Sequence, residues 1–196
     1  MIAIINYGAG NLTSVEKAVA CFDSDCVVTS DARQAAQADK IILPGVGHFA
    51  ATQTLFRNGM AQVVRGSIQR GTPLLGICLG LQWLFQGSSE AEGVPGLEVF
   101  AGVCTRCPNQ VKSPHVGWDQ VQIRHASRLF ENIPKGAYFY FTHSYRAPLT
   151  AYTTAACHYG EPFTAAVESG NIFGVQFHPE KSGPAGLKLL ENFCVL

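Results

Sequence analysis

Short apolar segments alternate with helical patterns over the first 85 residues, and this alternation limits the possible folds more than any other feature. Segments of strand length lie at Ile2–Ile5, Cys26–Thr29, 41–43 and 73–77. Apolar residues at helical spacing lie at 12–22, 49–70 (with a break at 58–59) and 79–85. Strands separated by helices pair in parallel and are buried on both faces. The chain is therefore predicted to be α/β, with a central, mostly parallel sheet and helices on both faces.

The pattern changes after Glu90, where strand-like segments follow one another without helices between them. They lie at 97–104, 120–123, 138–142, 153–158, 164–168 and 172–177. Turns rich in Gly, Pro and Asn join these segments, and a last helix is predicted over 185–193. This half is predicted to extend the sheet with mixed or antiparallel strands. No repeat or linker divides the sequence, so we expect one domain over 1–196.

Composition excludes several classes of protein. Apolar residues make up 47% of the chain, and 14 basic residues balance 14 acidic ones. Binding to nucleic acid needs a basic surface, so no nucleic-acid partner is expected. No apolar run approaches the roughly 18 residues of a membrane span, and the first residues lack the basic region of a signal peptide. We therefore expect a cytoplasmic protein with no membrane association, whose seven cysteines are mostly small buried residues.

One cysteine needs a different interpretation. Cys78 ends an apolar strand, is followed by a helical segment, and has glycines two residues away on each side, at Gly76 and Gly80. This is the nucleophile elbow in its cysteine form, a strained turn that exposes the nucleophile. The helix N-terminus also favours negative charge on the sulfur. The alternative is a buried core cysteine, which would not need both glycines.

A cysteine nucleophile needs a base and a group that orients the base. His178 directly follows the predicted strand 172–177, at the strand end where α/β sheets bind ligands. Pro179 restricts the backbone and helps to aim Glu180 back towards the imidazole. Taken alone, the pair leaves open a surface loop that happens to contain a histidine and a glutamate.

Cys104 and Cys107 form a CxxC pair that could indicate a metal site. A structural zinc site needs four ligands, and no second CxxC or HxxxH accompanies this pair. We therefore predict no metal site.

The elbow and the Phe-His-Pro-Glu segment at 177–180, in this order, resemble the class I (triad-type) glutamine amidotransferase family. The resemblance implies a flavodoxin-like fold and release of ammonia from glutamine without a cofactor. It assigns Cys78 as nucleophile, His178 as acid and base, and Glu180 as the orienting group. Segment 44–47, Pro-Gly-Val-Gly, resembles the family's oxyanion strand. Backbone N–H groups of Val46 or Gly47, together with Leu79, would hold the oxyanion.

Further motifs across nearly the whole chain resemble, within that family, the glutaminase subunits of imidazole glycerol phosphate synthase. They are Asn-Tyr-Gly-Ala-Gly-Asn at 6–11, Pro-Gly-Val-Gly-His-Phe at 44–49, Gly-Ile-Cys-Leu-Gly-Leu-Gln at 76–82, Pro-His-Val-Gly-Trp at 114–118, Tyr-Phe-Tyr-Phe-Thr-His-Ser-Tyr at 138–145 and Gln-Phe-His-Pro-Glu-Lys-Ser at 176–182. The resemblance implies a heterodimer with a (β/α)8-barrel cyclase subunit, which receives the ammonia for histidine biosynthesis. Amidotransferase subunits for anthranilate or pyridoxal phosphate synthesis are the alternative within the family, and a catalytically silent binding module is the alternative outside it.

The same resemblance assigns residues around the substrate and the partner. Glutamine would be bound by Gly45, Gln82, Glu90, His143, Ser144 and Tyr145. The cyclase interface would include Asn11, Trp118, Tyr140 and Lys181. One position departs from the pattern, because Asp119 stands where the family usually continues Gly-Trp with asparagine. The added carboxylate puts the local detail of the interface in doubt, but not the chemistry.

Overall fold

The computed structural model describes residues 1–22 and 25–196 of the protein. Its strands are β1 (Ile2–Ile5), β2 (Cys26–Thr29), β3 (Lys40–Gly45), β4 (Leu74–Cys78), β5 (Gly87–Ser88), β6 (Val103–Arg106), β7 (His115–Gln120), β8 (Gln122–Ile123), β9 (Tyr138–His143), β10 (Tyr145–Arg146), β11 (Thr153–Tyr159), β12 (Glu161–Ser169) and β13 (Ile172–Val175). Its α-helices are α1 (Leu12–Ala20), α2 (Ala32–Ala36), α3 (Gln53–Arg57), α4 (Met60–Gln69), α5 (Leu79–Trp83) and α6 (Gly183–Cys194). Short 3-10 helices cover Phe49–Thr52, Arg128–Phe130 and Pro179–Lys181.

The largest sheet runs in the order β2-β1-β3-β4-β13-β12-β11-β8. The first five strands in this order pair in parallel, and the remaining pairs are antiparallel. Strands β7 and β9 form a separate antiparallel pair, and β10, β6 and β5 form a small third sheet. The predicted parallel centre with an antiparallel extension is confirmed.

Both faces of the sheet are buried, as the apolar character of its strands predicts. Side chains of β1 alternate between two cores, with Ile2 and Ile4 in one and Ala3 and Ile5 in the other. Helices α1 and α6 cover the first core, and α2, α3 and α4 cover the second. Helices on both faces of a parallel sheet are the arrangement that crossover connections produce. Within the described ranges, no helix combines the length and apolar character that crossing a bilayer requires.

The strand predicted over 97–104 is wrong for most of its length. Only Val103–Arg106 forms a strand. The N–H groups of Leu97 and Glu98 instead donate to the carbonyls of Trp83 and Phe85, at 2.6 and 3.1 Å. This segment therefore satisfies the last carbonyls of α5, which an apolar pattern alone cannot distinguish from strand pairing.

Smaller differences have local causes. The short helix α2 was not predicted, and it begins where the Asp31 side chain accepts from the N–H of Arg33 at 2.8 Å. Strand β2, predicted to be buried, is half-buried because it is the edge of the sheet. Asn11 precedes α1 as predicted, but its side chain makes no capping hydrogen bond. Strand β3 continues to Gly45, beyond the predicted end at residue 43.

Three neighbouring parallel strands end at the same edge of the sheet. Gly45 of β3 pairs with Cys78 of β4, and Val175 of β13 pairs with Ile77. The residues that follow β13, up to His178, therefore reach the side of β4 on which Cys78 lies. Ligands bind at the carboxyl edge of parallel sheets.

Candidate active site

Cys78 has the strained backbone that a nucleophile elbow requires. Its φ is +54°, in the region that residues with side chains rarely adopt. A Cβ atom at Gly76 would lie 2.8 Å from the backbone of Gly80, and one at Gly80 would overlap the carbonyl oxygen of Leu43. Both flanking glycines are therefore needed for the close backbone approach that was predicted from their spacing.

His178 and Glu180 form a buried pair beside this turn. The imidazole Nδ1 lies 2.8 Å from Glu180 Oε1, and both side chains are 2% or less exposed. Burial lowers the pKa of His178, but the nearby Cys78 sulfur and the Glu180 carboxylate together outweigh it and raise the pKa to about 10. The imidazole Nε2 is buried and, within the part of the chain that the structure describes, interacts only with the Cys78 sulfur. It is the ring atom left for proton transfer.

A cavity of about 300 Å³ opens onto Cys78. It is lined by Val46, Gly47, Cys78, Leu79, Gln82, Glu90, Pro114, Thr142, His143, Ser144 and Tyr145. All but one of the residues predicted to hold the oxyanion or the substrate therefore surround one space. Pro114 and Thr142 also line it and were not predicted.

Gly45 is the exception, because it is not among the residues that line the cavity. It is part of β3, and a Cβ atom there would overlap the Tyr7 hydroxyl and lie 2.8 Å from Leu79 Cβ. Its position therefore requires the smallest residue for packing. The free part of the glycine segment begins after it, at Val46 and Gly47.

Gln82 and Glu90 are both held by backbone groups. The Gln82 amide nitrogen donates to the carbonyl of Tyr145 at 2.7 Å. The Glu90 carboxylate accepts from the N–H of Phe49 at 2.7 Å, directly after the segment that contains Gly47. Glu90 is the one acidic side chain among the described residues that line the cavity. Its bond to Phe49 ties it to the backbone that follows the glycine segment.

Gln176 was missed by the sequence analysis. Its side chain is fully buried, and its amide nitrogen lies 3.5 Å from Cys78 Sγ. The signal was present in the sequence, because a glutamine at 176 lies between the apolar strand β13 and His178. Strand periodicity, however, gives no reason for a polar side chain to turn inward at that point.

Asp119, the departure from the family pattern, faces a pair of histidines. Its carboxylate lies 3.4 Å from His115 Nε2, and His115 Nδ1 lies 3.2 Å from His143 Nε2. His143 Nδ1 lies 3.0 Å from the carbonyl of Tyr145, which can only accept, so we assign the proton to Nδ1. Burial, with His115 as a further cause, lowers the pKa of His143 to about 3, so His143 is neutral and its Nε2 accepts from His115.

This assignment leaves His115 Nε2 facing a carboxylate. Burial lowers the pKa of His115, and Asp119 opposes that effect. We therefore expect Asp119→Asn to lower the pKa of His115 further, because the amide removes the charge that favours imidazolium. An NMR titration of the His115 ring would measure this shift. Asp39→Asn is the control, since it changes in the same way a carboxylate that pairs with the amino terminus, and it should leave the His115 titration unchanged. An unchanged His115 midpoint in Asp119→Asn would contradict the assignment.

An exposed patch of mixed aromatic and basic character lies next to His178. Trp118 of β7 is 55% exposed and pairs across the strands with Tyr140 of β9, with the two rings 6.1 Å apart. The Lys181 ammonium lies 5.8 Å from the centre of the Tyr140 ring. The exposure of Trp118 shows that its ring is not part of the core. Asn11 precedes α1, which lies beside the 3-10 helix that carries Lys181.

The other cysteines do not form a second site. Cys104 and Cys107 are buried, and burial raises the pKa of each thiol. In the described ranges, no three His, Cys, Asp or Glu side chains come together in a way that could hold a metal ion.

Sequence and structure comparisons identify the family to which the chain belongs. The family model for class I glutamine amidotransferases matches residues 3–196. The chain therefore belongs to the class I glutamine amidotransferase family. A crystal structure of a glutamine amidotransferase has the same fold, with a TM-score of 0.78 at 15% identity and full coverage of both chains.

Curated relatives give a narrower similarity. The chain is 47% identical over 195 residues to imidazole glycerol phosphate synthase subunit HisH of Moorella thermoacetica, covering 98% of this chain and 93% of the relative. It is 48% identical over 199 residues to the protein of the same name from Thermococcus kodakarensis, covering 98% of each.

Proposed function

We propose that this chain is the glutaminase subunit of imidazole glycerol phosphate synthase and delivers ammonia to a (β/α)8-barrel cyclase subunit. The observation that carries the glutaminase chemistry is the strained Cys78 turn beside the buried His178–Glu180 pair, at the end of a cavity of about 300 Å³. The similarity to HisH subunits over nearly the whole chain supports the pathway.

The first half of the reaction forms a thioester. The Cys78 thiolate attacks the side-chain amide carbon of glutamine, and the carbonyl oxygen becomes an oxyanion. The N–H of Leu79, at the start of α5, has no partner inside the helix, and the segment at Val46 and Gly47 supplies a second donor. His178 gives a proton to the leaving nitrogen as the C–N bond breaks, and ammonia leaves.

The second half restores the enzyme. His178, now neutral, takes a proton from water, which attacks the thioester carbon. The C–S bond breaks, glutamate leaves, and the sulfur returns to the thiolate. Glu180, 2.8 Å from His178 Nδ1, fixes the tautomer and stabilises each imidazolium that forms.

The cavity wall fits the remainder of glutamine. Glu90 supplies the negative charge for the substrate ammonium, and backbone groups of His143, Ser144 and Tyr145 hold its carboxylate. Gln82, on the helical turn after Cys78, contacts the substrate on the nucleophile's face. A cavity at the low end of the usual range of ligand sites suits an amino acid better than a larger ligand.

The exposed patch around Trp118 supports a protein partner that binds next to His178. Aromatic side chains such as Trp118 and Tyr140 are enriched in such interfaces. Tyr140 also belongs to the site, because its carbonyl accepts from the backbone N–H of His178 at 2.8 Å. A cyclase bound on Trp118, Tyr140, Lys181 and Asn11 would therefore adjoin the catalytic base.

Glutaminase activity with and without the cyclase subunit tests this proposal. The chain alone should hydrolyse glutamine slowly, since ammonia released into water at neutral pH is protonated and lost as a nucleophile. The cyclase subunit should raise the rate, and its ribotide ligand should raise it further. Trp118→Ala should weaken complex formation. Full activity in the isolated chain, with no response to either addition, would indicate a simple glutaminase.

The segment at Val46 and Gly47 is the proposed element that the partner switches. Gly45 fixes its start, and the bond from Phe49 to Glu90 fixes its end. Gly47 between them has a φ of +102°, and open space surrounds the position where its Cβ would lie. Rotation of a peptide unit here could turn an N–H towards the oxyanion. A shift from ~1% to ~99% of the competent state would need ~5.5 kcal/mol of differential binding.

We expect Gly47→Val to reduce partner-activated turnover about tenfold or more while leaving partner affinity unchanged. Because no atom lies within 4 Å of the position of a Cβ at residue 47, we attribute the effect to the backbone, where a strained φ costs ~1–3 kcal/mol. Gly59→Val is the matched control. Gly59 also has a positive φ and open space around the position of a Cβ, but it lies directly before α4 and not in the cavity wall. Glutaminase rates beside a titration of complex formation make the comparison. Equal activation of Gly47→Val and the wild-type chain would exclude the segment as the switch.

A further inference from the structure

A continuous line of hydrogen bonds leads from the backbone of β10 to the nucleophile. The Gln82 amide nitrogen donates to the carbonyl of Tyr145 at 2.7 Å and lies 3.2 Å from Gln176 Oε1. The Gln176 amide nitrogen in turn lies 3.5 Å from Cys78 Sγ. Both glutamine side chains are buried, Gln176 completely.

The direction of these bonds is fixed by the carbonyl at one end. A backbone carbonyl only accepts, so the NH₂ group of Gln82 must face Tyr145. That NH₂ group also faces Gln176, so Gln176 must turn its oxygen towards Gln82. Reversing the Gln176 amide would bring two NH₂ groups together. The remaining end of Gln176, which faces the sulfur, is therefore a donor.

The backbone holds Gln176 in this position. Its N–H donates to the carbonyl of Ala165 in β12 at 2.9 Å, which extends the pairing of the sheet one residue beyond β13. The donor therefore points at Cys78 from a fixed element.

Two neighbours of the sulfur favour opposite protonation states. The carbonyl of Thr142 lies 4.0 Å from Cys78 Sγ and can only accept, so it interacts with a thiol. The Gln176 donor, at 3.5 Å, interacts far better with a thiolate, because sulfur is a weak acceptor until it is charged.

We propose that Gln176 is a further catalytic residue, whose amide N–H donates to Cys78 Sγ and holds the nucleophile as a thiolate. The proposal deepens the proposed function and rests on Cys78 as its nucleophile. Before attack the bond stabilises charge on the sulfur. As the C–S bond forms, that charge moves to the carbonyl oxygen and the bond to Gln176 weakens. The bond acts again when the thioester breaks and the electron pair returns to sulfur.

The rate of Cys78 alkylation by iodoacetamide as a function of pH tests the proposal without glutamine. Peptide mapping isolates Cys78 from the other cysteines. Gln176→Leu removes the donor. We expect the midpoint of the alkylation profile to rise by about one to two pH units, which corresponds to about ten- to a hundredfold less thiolate at a pH below the midpoint. Gln176→Glu, with an acceptor of the same shape, should raise it at least as far. With glutamine and the partner, turnover should fall while KM changes little.

Asn192→Leu is the matched control for the loss of a buried amide. Asn192 donates to the carbonyls of Leu129 and Glu131, is not among the residues that line the cavity at Cys78, and is 7% exposed. Asn192→Leu should lower the thermal stability of the chain and leave the midpoint of Cys78 alkylation unchanged. Gln176→Met, which keeps most of the volume, replaces Gln176→Leu should the latter not fold.

Each outcome decides one question. A folded Gln176→Leu or Gln176→Met chain with the wild-type midpoint would overturn the role of Gln176. A shifted midpoint in the variant, together with a wild-type chain that hydrolyses no glutamine even with its partner, would support Gln176 and overturn the proposed function.

Discussion

Cys78→Ala should abolish glutamine hydrolysis in the complex. Its sulfur is the nucleophile in the proposed mechanism, and an alanine methyl group cannot form the thioester. The complex should still form its product when free ammonia is supplied, because the cyclase site is unchanged. Glutamine-dependent and ammonia-dependent product formation, measured side by side, separate loss of ammonia release from loss of assembly.

Cys157→Ala is the control for the loss of a buried cysteine. Cys157 is 1% exposed in β11, so its replacement leaves a similar small cavity in the core away from the elbow. It should keep glutamine-dependent turnover. A Cys78→Ala chain that retains a tenth of wild-type turnover would exclude Cys78 as the nucleophile.

A glutamine-analogue electrophile separates an enzyme from a silent module on the same fold. The wild-type chain should gain the mass of one adduct, and Cys78→Ala should gain none. A wild-type chain without an adduct would indicate that the cavity does not position glutamine against the sulfur.

The elbow could be predicted because its requirements are local. Gly76 is needed because the backbone of Gly80, four residues later, lies 2.8 Å from the position of its Cβ. Gly80 is needed for a less local reason, since its Cβ would overlap the carbonyl oxygen of Leu43 in the neighbouring strand β3. The position of His178 followed less directly, from the rule that carboxyl ends of parallel strands share an edge. The pairing of β13 with β4 joins residues about 100 positions apart, and no local pattern specifies it.

What could not be predicted depends on hydrogen bonds over long sequence separations. The segment after residue 96 is apolar and strand-like, but its N–H groups satisfy the end of α5. Gln176 looks like a polar interruption of a strand, and its role depends on Gln82 and Tyr145. The close packing of Gly45 depends on Tyr7, which lies 38 residues earlier. Periodicity identifies which faces are buried, but not which buried polar groups meet.

Glu180→Gln should reduce turnover by about a hundredfold to a thousandfold while the chain remains folded. The same exchange in a serine protease triad costs ~10⁴. A smaller loss is expected here because a thiolate depends less than a hydroxyl on its base. Turnover still falls because the amide that replaces the Glu180 carboxylate would stabilise the His178 imidazolium less than the carboxylate does. The amide would also permit the wrong tautomer of the His178 ring. Glu191→Gln is the control, since it breaks an exposed pair with Lys188 on α6 and should leave turnover unchanged.

The pH dependence gives this prediction its sharpest form. Glu180 is among the groups that raise the pKa of His178 to about 10, so Glu180→Gln should lower that pKa. A histidine whose pKa is raised by folding adds stability that is complete below its unfolded pKa of about 6.5 and is lost as pH rises through about 10. The free energy of unfolding of the wild-type chain should therefore be larger than that of Glu180→Gln. The difference should be greatest at neutral and lower pH and should become smaller towards pH 10. Denaturant unfolding at several pH values and an NMR titration of His178 measure the two effects. If kinetics, the His178 titration and the stability difference all stayed as in the wild-type chain, Glu180 would have no part in the triad.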